Sequence, residues 1–212
     1  MNDRLNRILW IGGSPCSGKS TIAHRLSATF GLHIYSCDDA FERHRLLVTP
    51  ERQPVFARLA SLSCDELWLR PVPQQIDEEL TIYREEFPFI LADLEHLDEK
   101  CRVAEGAALL PSLLAHLAVP PSRAIWIVPE EAFQREQYGR REWRHDVLRD
   151  CSDPNQGWEN WMARDVGFAR RVATDARALG YRVIVVDGAR TVDDNYAGVV
   201  RHFGLDAHVP CT

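Results

Sequence analysis

Two apolar patterns divide the chain. Short unbroken apolar runs, bounded by glycine or charge, lie at residues 7–12, 32–36, 102–106, 124–128 and 182–187. Such runs predict strands buried on both faces. Between them, apolar residues recur at three- and four-residue steps, the spacing of one helical face. A first helix is predicted over 19–30, with Gly31 as its C-terminal cap. Residues 40–99 read as mostly helical, with Ile76, Leu80, Tyr83, Phe87, Ile90, Leu94 and Leu97 on one face and Pro88 kinking or dividing the stretch. Trp158, Trp161, Met162, Val166, Ala169, Val172, Ala176 and Leu179 line another helix, which ends at Gly180. A last helix starts near Thr191, where Thr191 and Asp194 approximate a capping box, and ends at Gly204. The repeated order strand, loop, helix predicts an α/β fold: a three-layer parallel sheet of about five strands with helices on both faces.

The segment joining the first strand to the first helix carries the most specific chemistry. Gly13, Ser14, Pro15, Cys16, Ser17, Gly18, Lys19 and Ser20, followed by Thr21, satisfy G-x-x-x-x-G-K-[ST]. Successive backbone N–H groups can turn inward around phosphate oxygens only where side-chain bulk is small, hence the glycines. Opening a helix adds unpaired N–H groups and the positive dipole end. Lys19 places a cation on the outer phosphates, and the Ser20 hydroxyl can ligate Mg²⁺. Chance would produce this pattern in such a chain on the order of once in a thousand or less. Cys16 lies beside Lys19 and the helix N-terminus, which both favour a reactive thiolate.

Two acidic sites follow strands, where ligands of open parallel sheets bind. Asp38 and Asp39 sit just past the second strand. Asp38 suits a base that accepts a proton from an attacking hydroxyl; either residue could instead be a helix N-cap. Glu105 ends the third strand, where a carboxylate can hold Mg²⁺ directly or through water. Residues 183–187 resemble a Walker B strand but come late in the chain, and read as the final strand, whose following loop touches the nucleotide base. Residues 130–150 are arginine-rich. Arg135 with Arg140 or Arg141 would share a helical face, and Gly139 would act as a hinge for a flap closing over the phosphates. Arg43, His44, Arg45 and Arg52 either bind an anionic acceptor or form a solvated helix face.

The bulk numbers narrow the partners. A net charge of -6 disfavours a general nucleic-acid grip. Of 25 basic residues only Lys19 and Lys100 are lysines, a bias that fits a genome rich in G and C. The absence of [NT]-K-x-D disfavours a GTPase switch. Six cysteines without a C-x-x-C pair disfavour structural zinc, and with no signal peptide or membrane-length apolar run they predict a cytoplasmic protein with reduced thiols.

The GGSPCSGKST loop, the acidic turn CDDAF and the R-x-x-Y-x-R-R stretch resemble the P-loop small-molecule kinases, the group of uridine kinase, nicotinamide riboside kinase, gluconate kinase and chloramphenicol phosphotransferase. The resemblance implies ATP and Mg²⁺ as cofactors, a small-molecule hydroxyl as acceptor, Asp38 as base and an arginine lid. It covers nearly the whole chain in element order, but only the loop is specific residue by residue. Residues 1–212 then form one kinase domain, with 40–99 as acceptor-binding insertion contributing Asp38, Asp39 and Arg43 at its edge, and 130–150 as lid. Two other readings are a nucleoside monophosphate kinase, which needs an arginine clamp for the acceptor phosphate, and a non-enzymatic nucleotide switch or slow NTPase.

Overall fold

The first apolar run becomes the middle strand of a sheet. In the computed structural model, which describes residues 5–96 and 102–206, all six residues of β1 (Ile8–Gly13) are buried. A strand covered on both faces needs an unbroken apolar run, as this one has. After β1 come α1 (Lys19–Phe30), β2 (His33–Ser36), α2 (Cys37–Arg45), α3 (Pro54–Leu59), α4 (Cys64–Trp68) and α5 (Val72–His96). Then follow β3 (Arg102–Glu105), α6 (Pro111–His116), β4 (Ala124–Pro129), α7 (Glu131–Gly139), α8 (Arg144–Val147), α9 (Pro154–Ala178), β5 (Arg182–Val186) and α10 (Val192–His202). The strands are all parallel, in the order β2-β3-β1-β4-β5. This is the three-layer α/β architecture that the apolar pattern predicts.

Alternation along the strands separates two cores. Trp10, Tyr35, Ala104 and Trp126 pack against Phe87, Ile90 and Leu94 of α5 and Phe168, Val172 and Ala176 of α9. Leu9, Ile11, Val103 and Ile127 face the other way, onto Ile22, Ala23 and Leu26 of α1 and Val199 of α10. Each valine, leucine, isoleucine or phenylalanine among these, fully buried, contributes about 1.5–3 kcal/mol. A third cluster joins Tyr138 of α7, Leu148, Cys151, and Trp161 and Met162 of α9, with Trp68 of α4 and Cys16 packed against it. It roofs the end of the sheet where the phosphate loop lies.

The structure differs from several sequence expectations. Pro88 does not divide α5, which runs from Val72 to His96. Pro88 is exposed while Phe87, Ile90 and Leu94 are buried; their burial outweighs the roughly 3 kcal/mol cost of an interior proline. Leu97 and Lys100 lie outside the described residues. Neither Asp38 nor Asp39 caps α2: the cap is Ser36, whose hydroxyl accepts from the Asp39 N–H at 3.2 Å. At α10 the Thr191–Asp194 capping box is complete. Among the described residues no helix is long and apolar enough to cross a membrane.

The thiols are not all free. Cys64 of α4 and Cys151, after α8, form a disulfide across 87 residues of sequence, against the expectation of reduced thiols, while Cys16 and Cys37 remain free. The bond ties α4 to the segment that follows α8. Closing so long a loop restricts the unfolded chain. We therefore expect Cys64→Ser or Cys151→Ser to lower stability by about 2–4 kcal/mol. Thermal unfolding with and without reductant checks this: reductant should lower the Tm of the wild type and leave that of either variant unchanged.

Candidate functional site

The phosphate loop begins where β1 presses against β4. Gly13 has φ of +140°, and a Cβ there would lie 1.8 Å from the Ile127 carbonyl oxygen; only glycine fits. Gly18, with φ of +81°, is the left-handed residue that turns the loop into α1. Ser14 and Ser17 are buried. Lys19 is only 5% exposed, and its Nζ donates to the Ser14 carbonyl oxygen at 3.0 Å, curling back over the loop. Gln134 of α7, which the sequence reading missed, donates from Nε2 to Ser14 Oγ and to the Pro15 carbonyl oxygen, both at 3.2 Å. Helix α7 thus braces the loop directly.

Glu105 ends β3, with its side chain beside Lys19, Asp38, Ser20 and Ser36. Burial pushes its carboxyl above the ordinary value, and the Lys19 cation opposes that shift. Its Oε2 is buried without a hydrogen-bond partner. A magnesium ion bound with phosphate takes one or two protein oxygens and leaves the remaining positions to phosphate and water. The unpartnered Glu105 oxygen and the neighbouring Ser20 hydroxyl fit that modest requirement. No group of three or more His, Cys, Asp or Glu is gathered as a metal cage among the described residues.

Two cavities share the loop as a wall. One, of about 450 Å³, is lined by Cys16, Gly18, Thr21, Phe133, Arg141 and Gly188 among others. Gly188 lies in the loop after β5, which forms part of this cavity's wall. The other, of about 320 Å³, includes Pro15, Lys19, Asp38, Glu86, Trp161 and Arg164. Asp38 is exposed in the first turn of α2 and faces this second cavity together with Lys19. Asp39, one residue on, does not line it.

The basic residues sort differently from the sequence expectation. Arg43 is held by Asp93, at 3.0 and 2.8 Å, and lies outside both cavities. Arg45 pairs with Glu42 at 2.9 Å. His44 is buried, with Nδ1 2.9 Å from Glu86 Oε1 and Nε2 2.9 Å from Asp93 Oδ2. Helix α7 ends at Gly139, so Arg140 and Arg141 lie past it rather than on a shared face with Arg135. Arg135 pairs with Glu131 and Glu159, and Arg140 with Glu136. Only Arg141 of the three faces the loop: it lines the larger cavity, its guanidinium 5.0 Å from the Tyr138 ring centroid and 5.5 Å from that of Trp143.

Arg164 on α9 is a half-buried arginine that the sequence reading overlooked. It bonds Glu79 at 3.2 Å and Asp165 at 2.7 Å and stacks over Trp68 at 4.8 Å. Burial acts to lower its pKa, but Asp165 and Glu79 overcome this and keep it firmly charged. The signal available in the sequence was a charged pair, Arg164-Asp165, interrupting an otherwise apolar helical face. Burial also decides two further groups. It pushes the Glu86 carboxyl up to about 7. It pushes the Cys16 thiol up to about 11, because desolvation outweighs the opposing Arg141 and Lys19 cations; the expected reactive thiolate is therefore not favoured.

Sheet order and loop together define a five-stranded parallel α/β fold with a phosphate-binding loop between β1 and α1. No protein-family model matches the chain, and no curated protein matches it. Among solved structures it is similar to shikimate kinase from Aquifex aeolicus, at 17% identity and a TM-score of 0.44, over 95% of this chain and 98% of that one. It is also similar to the YorR protein of Bacillus subtilis, solved in complex with phosphorylated GDP, at 14% identity and a TM-score of 0.42, over 95% and 98% of the two chains. A protein of Eubacterium ventriosum matches at 15% identity and a TM-score of 0.43, over 93% and 98%.

Proposed function

We propose that the chain is an ATP- and Mg²⁺-dependent phosphotransferase that moves the γ-phosphate to a hydroxyl of a small molecule. The observation that carries this reading is the pair of cavities sharing one phosphate loop, with Lys19 and Asp38 both on the wall of the smaller. The larger cavity takes the nucleotide, its base against Phe133 and the loop after β5. The smaller takes the acceptor. Loop N–H groups and Lys19 hold the phosphates, while Ser20 and Glu105 hold the ion. Magnesium, when bound, neutralises charge on the phosphate oxygens. Asp38 accepts the proton of the attacking hydroxyl and orients it toward the γ-phosphorus.

A nucleoside monophosphate acceptor fits less well. Its phosphate needs a free arginine clamp, and among the described residues the one arginine on the wall of the acceptor cavity, Arg164, is already held by two carboxylates. The Asp38 role has a direct test. Asp38→Asn is expected to lower turnover roughly 10²–10⁴-fold with ATP affinity unchanged, since the residue is exposed and outside the nucleotide cavity. Steady-state rates with calorimetric ATP titration measure both. Unchanged turnover with Asp38→Asn, alongside a large loss with Asp39→Asn, would move the base one residue along.

A further inference from the structure

The acceptor cavity carries two unsatisfied polar atoms of opposite kind. Glu86 Oε2 is a buried acceptor without a donor, and Trp161 Nε1 a buried donor without an acceptor. Glu86 is 0% and Trp161 4% exposed, and both line the cavity. A buried polar group left unpaired costs about 1–3 kcal/mol, so this pair marks where a ligand supplies what the protein does not.

The chemistry at Glu86 follows from its neighbours. Asp93 receives Arg43, Tyr35 and His44, which hold its carboxyl well below the usual range although burial opposes them. Asp93 is therefore a carboxylate, and His44 Nε2 donates to it. One proton then lies between His44 Nδ1 and Glu86 Oε1. If it sits on His44, Glu86 is a carboxylate; if it sits on Glu86 Oε1, the other oxygen is a carbonyl. In both states Oε2 is an acceptor, so its ligand is a donor. Charge on the wall points the same way. Lys19 is bonded to the loop, and Arg164 is held by Glu79 and Asp165. Among the described residues the Asp38 carboxylate has no such partner. An incoming anion would meet Asp38 and Glu86 and no uncommitted cation beyond the lysine that serves the phosphates. An incoming ammonium would meet both acids, and the Phe41, Tyr83, Tyr138 and Trp161 rings around the cavity favour a cation and a flat apolar group.

We infer that the acceptor is a hydroxyl compound bearing an amine, or failing that a second hydroxyl, which donates to Glu86 Oε2, together with an aromatic or similarly flat portion, and that the site rejects anionic acceptors. This rests on the reading of the smaller cavity as the acceptor site. Glu86 is a specificity residue in that account and Trp161 its partner, while Asp38 remains the base.

Three matched probes test it: 2-amino-1-phenylethanol, 1-phenyl-1,2-ethanediol and mandelate. They share a ring and a secondary hydroxyl and differ in a positive, neutral or negative end group. Calorimetric titration into the full chain with ADP and Mg²⁺ is expected to rank amine over diol by about tenfold, and diol over mandelate by about tenfold or more. Glu86→Gln presents an amide donor, so it should erase the amine preference and improve mandelate. Trp161→Phe removes the indole N–H and should weaken all three while keeping their order. Mandelate binding as tightly as the diol, an amine preference that survives Glu86→Gln, or no binding of any probe would overturn the inference. The wild-type order alone decides the charge rule should Glu86→Gln not fold. Replacing ADP by ATP separates the two claims. If the order holds but no alcohol is phosphorylated, the kinase reading fails and the selectivity stands. If mandelate is the preferred phosphate acceptor, the selectivity fails and the kinase reading stands.

Discussion

Lys19→Ala is expected to reduce phosphoryl transfer by about 10³-fold or more, the range for a charge that stabilises a phosphoryl-transfer transition state, while the protein stays folded. The lysine is buried, but among the described residues its amine hydrogen-bonds only the Ser14 carbonyl oxygen. Losing one such bond costs about 1 kcal/mol, and alanine is the most favourable residue in a helix. The change also removes the cation that opposes the rise in the Glu105 carboxyl pKa, which should weaken ion binding. Circular dichroism, melting temperature and ATP turnover on one preparation check the expectation. A folded Lys19→Ala protein with wild-type turnover would contradict the role given to the loop.

Arg141→Ala is expected to cut turnover by about 10³-fold, with ATP affinity changed only a few-fold. Of the three arginines only Arg141 lies on the wall of the cavity proposed for the nucleotide, and among the described residues it has no carboxylate partner. Its stacking on Tyr138 and Trp143 is worth only about 0.5–1 kcal/mol at a partly exposed site, so little holds it back from the γ-phosphoryl group. A contact made mainly in the transition state lowers the rate of chemistry more than it lowers ground-state binding. Arg135 and Arg140 are spent on exposed ion pairs worth under about 1 kcal/mol, and Arg135→Ala and Arg140→Ala should stay within a few-fold of wild type. Single-turnover rates for the three variants measure this. Three equal and small effects would make the segment a solvated cover, with phosphate stabilisation coming from elsewhere.

What the sequence disclosed follows from the range of the interactions involved. The strands, α1 and the phosphate loop depend on neighbours in sequence: an unbroken apolar run, a glycine at a fixed offset, a helix opening at Lys19. The cavity proposed for the acceptor does not. His44 meets Glu86 across 42 residues, and Arg164 meets Glu79 across 85. Helical periodicity marks the apolar face and leaves such buried charges looking like solvated ones, which is why Arg43 was expected in the site and Glu86 was not. Cys64 and Cys151, far apart in sequence, gave no spacing signal. The shared helical face expected for Arg135 with Arg140 or Arg141 fails at one element boundary: α7 stops at Gly139, and the turn after it redirects Arg140 and Arg141.

Phosphorus NMR of ATP and Mg²⁺ incubated with the protein and a pool of hydroxylated amines, polyols and nucleosides tests the central claim most directly. The expected result is a new phosphate-monoester resonance, gained one-for-one with ADP and absent with Lys19→Ala. ADP and inorganic phosphate alone, formed at the same rate with and without the pool, would contradict it and leave a slow nucleotidase or a nucleotide-binding module.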